Sequence, residues 1–159
     1  MPILAKILLR DLLIGAITLA LMRLSHALEA AHSMMSVPVA VAAGAAVAYA
    51  GFLFHEWGHL AGARVGGCQI ALPTSVRSVF LFGVDPARNR REPFLALSLG
   101  GFIASGVAVV FLLAVLSFHW LADIVALFLT GLGVLATFVL EIPPAWRVYR
   151  MPAGSPAGS

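Results

Sequence analysis

Residues 37–63 read VPVAVAAGAAVAYAGFLFHEWGHLAGA, an apolar run that ends on His55-Glu56-Trp57-Gly58-His59. About 20 consecutive apolar residues suffice to cross a bilayer as a helix. Pro38 stands where a helix's first turn tolerates proline, because that N–H would have no intrahelical partner. Residues four apart share a helical face, so His55 and His59 project together, with Glu56 one position round. Three ionisable groups in a membrane helix are costly unless they pair or act. This stretch therefore predicts a membrane-embedded helix with a chemically capable cluster at one end.

The rest of the chain agrees with a membrane setting. Of 159 residues, 61% are hydrophobic and 11% are charged, and the mean hydropathy is +1.00. A soluble domain carries about 25% charged residues. Here too little polar surface exists to cover a water-facing globule. Three further apolar windows fall at residues 12–31, 93–118 and 121–142, the last expected to stop at Pro143 and Pro144. The first is the most polar, interrupted by Arg23, His26 and Glu29. The expected fold is all-α, a polytopic membrane helix bundle with about four transmembrane helices forming a single domain over residues 1–150. A tail, residues 151–159, repeats PAGS twice and is expected to be disordered. His26, Glu29 and His32 share a face near one end of the bundle, with no role assigned beyond capping it.

Charge placement predicts direction. With the first segment retained and the N-terminus inside, Lys6, Arg10, Arg64, Arg77, Arg88, Arg90, Arg91, Arg147 and Arg150 all fall on the inner side, leaving Arg23 alone near the outer one. Positive residues in short loops mark the cytoplasmic face. The expected location is a bacterial inner membrane with both termini cytoplasmic, and the cluster Arg88–Arg91 reads as an anchor beside anionic lipid. Cys68 is the only cysteine, so no internal disulfide forms. Neither a phosphate-cradling glycine loop nor aromatic-basic interleaving occurs, and no nucleic-acid partner is expected.

The HExxH spacing has a specific chemistry. Two neutral imidazoles and one further ligand hold Zn²⁺ and leave a position for water. A neighbouring glutamate, here Glu56, then serves as general base. The run His55 to Gly67, HEWGHLAGARVGG, resembles the active-site helix of the site-2 protease family of intramembrane zinc metalloproteases. Gly58, His59, Ala63, Arg64 and Gly67 fit that family's pattern. The resemblance implies His55 and His59 as zinc ligands, Glu56 as catalytic base, and a single-pass membrane protein as substrate. Residues 98–105, SLGGFIAS, take the place of the family's Gly-Pro-x-x-Asn segment, keeping its small residues without the proline and asparagine. The family's Leu-Asp-Gly motif is absent.

The third ligand must come from elsewhere. Counted at 1.5 Å per residue, His55 lies roughly 27 Å below the outer face, near the inner one. His26, His32, His119 and Asp123 sit near the outer face, too far away. Glu141 lies 18 residues after Asp123 on a span running the same way, so it reaches the depth of His55. Glu141 is the choice, with Asp85 and Glu92 on the inner loop as alternatives. That loop holds two strand-like runs, residues 69–72 and 79–84, expected to form a hairpin beside the site; it either pairs with an extended substrate or merely covers the bundle. Two functions follow: zinc-dependent peptide-bond hydrolysis within the bilayer, or a non-catalytic membrane subunit of a larger complex built on the same fold.

Overall fold

The computed structural model describes residues 2–158, and these form an all-α bundle of four long helices. They are α1 (Ile3–Ala30), α2 (Ser36–Gly66), α3 (Arg91–Val115) and α4 (Leu121–Tyr149). Helices α2, α3 and α4 are each long and apolar enough to cross a membrane. α1 is the most polar of the four, carrying Lys6, Arg10, Asp11, Arg23 and Glu29 along 28 residues. It lies antiparallel to α2: Ile7 packs with Leu60 at one end and Met22 with Ala40 and Ala43 at the other.

The lateral surface shows why this is an integral membrane protein. Leu12, Leu13 and Leu19 on α1, Val110 and Phe111 on α3, and Phe128, Leu135 and Leu140 on α4 all point outward and exposed. In water so much contiguous apolar surface would drive association. Against lipid tails it has no such cost.

Small residues determine how the helices meet. Gly58, Gly62 and Gly66 form an i, i+4, i+8 stripe on α2, facing Ala96, Gly100 and Ala104 on α3. A Cβ added at Gly62 would overlap the Ala96 carbonyl, and one at Gly100 would overlap that of Gly58. Without a hydrophobic force between helices in lipid, such backbone contact supplies the dispersion energy that holds them. Gly44 does the same between α2 and α4, where an added Cβ would stand 2.5 Å from Val125 Cγ1.

Helix α2 ends in a Schellman motif. Gly67 adopts φ 69°, the Cys68 N–H donates to the Ala63 carbonyl at 2.8 Å, and the Gly67 N–H donates to Arg64 at 3.4 Å. The chain then enters the expected hairpin, whose strands β1 (Ile70–Ala71) and β2 (Gly83–Val84) pair antiparallel, Ile70 with Val84 and Ala71 with Gly83. Asn89 ties the hairpin down: its Oδ1 accepts the Gln69 N–H at 2.6 Å and its Nδ2 donates to the Gln69 and Asp85 carbonyls at 3.0 Å.

Two expectations about the C-terminal part differ from the structure. Pro143 and Pro144 do not stop α4, which continues to Tyr149. Each proline removes one N–H, but its ring fixes φ near the helical value, so the path persists while the carbonyls of Val139 and Leu140 lose their partners. Membrane helices tolerate this. The tail, expected to be disordered from composition, lies along residues 89–91. The Arg91 N–H donates to the Ser155 carbonyl at 2.9 Å and the Ala157 N–H to Asn89 at 2.7 Å, and Ala157 is buried. An unpaired backbone edge on the loop gives the tail partners that its side chains could not.

The outer segment is also accounted for. His26 Nε2 lies 2.8 Å from Asp123 Oδ1, its ring stacks on Trp120, and Glu29 accepts the Leu121 N–H at 3.1 Å. α1 therefore clamps the start of α4. His32 lies past the end of α1 with φ 52° and is exposed.

Candidate metal centre

The HExxH residues lie in the C-terminal half of α2 on its buried face, with His55, Glu56 and His59 each less than 8% exposed. α3 presents two adjacent stripes to them. Residues 96, 100 and 104 carry the close helix contact. Leu97, Gly101 and Ser105, one position on, carry the contacts to the histidines.

Those contacts fix the tautomers. His59 Nδ1 is 2.9 Å from the Leu97 carbonyl, and His55 Nδ1 is 3.0 Å from that of Gly101 and 2.8 Å from Ser105 Oγ. A carbonyl oxygen only accepts, so each Nδ1 carries a hydrogen, and in the neutral form of each ring the Nε2 lone pair turns inward toward Glu141. The two Nε2 atoms lie 2.9 Å apart. Glu141 completes the set from α4, its Oε1 3.1 Å from His55 Nε2 and its Oε2 3.1 Å from His59 Nε2.

Four lone-pair atoms facing one another in a buried space repel unless a positive charge lies among them. One donor atom from each of His55, His59 and Glu141 falls within 4.8 Å of the others, so the group can hold a metal ion. Ligands on a tetrahedral ion at Zn–N distances of about 2.0–2.1 Å sit roughly 3.3 Å apart. The observed spacings are close to that. The Nδ1 contacts to backbone carbonyls are of the kind that orient histidines able to bind a metal.

Glu56 approaches from the side. It lines a cavity of about 190 Å³ together with His59, Glu141, Phe82, Phe94 and Pro144. Its Oε2 accepts the N–H of Leu81, a fully buried residue just before β2, at 3.4 Å. The inner loop is thus the wall of the site. Trp57 turns the other way and donates from Nε1 to Asp11 Oδ2 at 2.9 Å. Arg10 joins Asp11 at 2.7 Å and donates to the carbonyls of Val76 and Ser78 at 2.6 Å, fastening α1 to the loop.

Of the candidate third ligands, the structure brings Glu141 to the histidines. Asp85 instead caps the short turn before Asn89, accepting the Ala87 N–H at 3.0 Å and pairing with Arg88. Glu92 pairs with Arg91 and accepts the Gly154 N–H. Cys68 is half-buried away from the cluster, and burial pushes its thiol pKa up. Sequence reasoning did not single out Ser105, Leu81, Arg10 or Asp11. Asp11 alone left a signal, a carboxylate within an apolar run that needed a partner.

No family model, curated protein or solved structure matches the chain. Fold and site together define an integral membrane helix bundle with two buried histidines and a half-buried glutamate that together could hold a metal ion.

Proposed function

We propose that the chain is an intramembrane zinc metallopeptidase, similar in active-site design to the site-2 protease family, that hydrolyses a peptide bond in a single-pass membrane protein. One observation carries the reading: the inward Nε2 atoms of His55 and His59 converge with Glu141 beside a cavity that Glu56 also lines. Two imidazoles and one carboxylate are the donor set of catalytic zinc sites, which keep a position for water. Zinc supplies Lewis acidity and lowers the pKa of bound water.

The protein's own groups do the rest. The carbonyls of Leu97 and Gly101 hold both rings in the ligating tautomer. Glu56, buried beside His59, takes the proton from the attacking water and returns it to the departing amide nitrogen. The Leu81 N–H keeps that carboxylate oriented. The edge of β2, next to Phe82 and Val84 in the cavity wall, suits an extended peptide, because strand addition supplies backbone hydrogen bonds without demanding a sequence.

The same reading makes α1 a fourth crossing, since it runs antiparallel along α2 with Lys6 and Arg10 at the loop end. The termini then share the cytoplasmic side of a bacterial inner membrane. Purified protein reconstituted with a single-pass substrate tests the proposal. Wild type cuts and Glu56→Gln does not. A zinc-loaded wild type that never cuts and copurifies in fixed stoichiometry with a larger assembly would favour the non-catalytic subunit instead.

A further inference from the structure

A second cavity of about 130 Å³ lies on the other side of the histidine pair, with His55 as its floor. It shares one seam with the first. On α2 the lining steps from Ala48 through Phe52 to His55 and His59, and on α4 from Thr130 through Thr137 to Glu141 and Pro144. The two cavities are separate, and the metal-binding group contributes to both, His55 to one and His59 and Glu141 to the other.

The glycines of this cavity differ from those of the helix contacts. Gly51 and Gly133 both line it, yet a Cβ built on either meets nothing within 4 Å. Intramolecular packing does not require glycine there. Thr130, 9% exposed and in the same lining, has an Oγ1 with no hydrogen-bond partner among the described residues. Buried hydroxyls are normally paired. An extended peptide backbone would offer that partner.

The geometry points to a substrate subsite in this cavity, and we infer that it takes one apolar side chain from the membrane-embedded half of the polypeptide, on the far side of the scissile bond from the Glu56 cavity. This rests on the peptidase reading of the same site. The volume is below the roughly 300–1,000 Å³ of sites for whole small-molecule ligands and well above the ~30 Å³ of one water. It fits a single residue.

The experiment uses the full chain in vesicles of phosphatidylethanolamine and phosphatidylglycerol, with a fluorogenic single-span peptide and unstructured casein as the two substrates. Gly51→Leu and Gly133→Leu bring a side chain to the cavity from positions where a Cβ meets nothing within 4 Å. Both are expected to lower cleavage of the single-span peptide by about 10–200-fold, the cost of misfit in one apolar pocket. Zinc content stays within about twofold of wild type, since a pocket is being lost and not the metal, and casein, which has no membrane-embedded half to fill the cavity, loses less than the single-span peptide. Equal loss on both substrates, or loss on neither, would overturn the subsite. Binding is read separately in a Glu56→Gln background carrying Cys68→Ser and Gly133→Cys. Disulfide cross-linking to a cysteine at the centre of the single-span peptide is expected; reaction with lipid-borne thiols alone would assign the cavity to an acyl chain. Should wild type cut neither substrate, the peptidase reading fails, and the cross-link still decides whether the cavity receives a peptide.

Discussion

Gly101 of α3 lies so close to the His59 ring that a Cβ on Gly101 would overlap the imidazole. The ring is held on its other edge by the Leu97 carbonyl at 2.9 Å. With backbone on both sides, His59 has one place to go, and its Nε2 points at Glu141.

Gly101→Ala therefore displaces a metal ligand without changing any charge. Zinc affinity is expected to fall by about 10–100-fold, the range that outer-shell changes produce. Competition with a fluorescent chelator measures it. An unchanged affinity would mean that the ring has freedom the packing denies.

Glu141 and Glu56 are separated by what each loses on conversion to glutamine. Glu141→Gln removes the charge that faces both Nε2 atoms, and bound zinc should drop sharply. Glu56→Gln keeps the zinc and lowers cleavage by about 10²–10⁴-fold, as loss of a general base does. Metal content and initial rates on the same preparations distinguish them.

The α2–α3 seam has its own prediction. Gly62→Ala drives a methyl into the Ala96 carbonyl and should destabilise the bundle by about 1–3 kcal/mol, the usual cost of overpacking. Gly131→Ala, where nothing lies within 4 Å, should be neutral or gain up to ~1 kcal/mol from helix propensity. Denaturation in mixed micelles ranks the two variants.

Much of this was legible in the residues. Apolar runs give four helices, because a bilayer leaves the chain few alternatives to helix. α2 and α3 fall within three residues of their expected bounds at each end, while α1 starts nine residues earlier and α4 ends seven later than expected. Depth counting brought Glu141 to His55 because α2 and α4 run in parallel and both are regular. The two strand-like runs, residues 69–72 and 79–84, pointed to the hairpin. What could not be read depends on partners distant in sequence. The tail's seat on Asn89 and Arg91 and the His26–Asp123 clamp both arise from contacts made after assembly. The glycines show the same limit. Gly58 and Gly51 look alike in sequence, and the structure alone shows one jammed against α3 and the other facing open space.

Asn89 links the hairpin, the short turn and the tail through five hydrogen bonds, three from its side chain, one from its carbonyl and one from its N–H to the Pro86 carbonyl. Asn89→Ala takes the side-chain partner from the Gln69 N–H and carbonyl, each loss costing about 1–3 kcal/mol where buried, while the Asp85 carbonyl keeps the Arg88 N–H. The loop should loosen at its Cys68 end. Burial raises the Cys68 thiol pKa, so alkylation of the folded chain is expected to be slow and to quicken both in this variant and as pH rises. Maleimide labelling rates report it; identical rates in variant and wild type would detach Asn89 from the loop's order.

The coordination sphere itself is the most direct test. X-ray absorption at the zinc edge of the purified, membrane-reconstituted chain should show one zinc per chain, bound by two imidazole nitrogens and carboxylate or water oxygen, without sulfur. A chain that retains no zinc, or a spectrum with Cys68 sulfur among the ligands, would contradict the account.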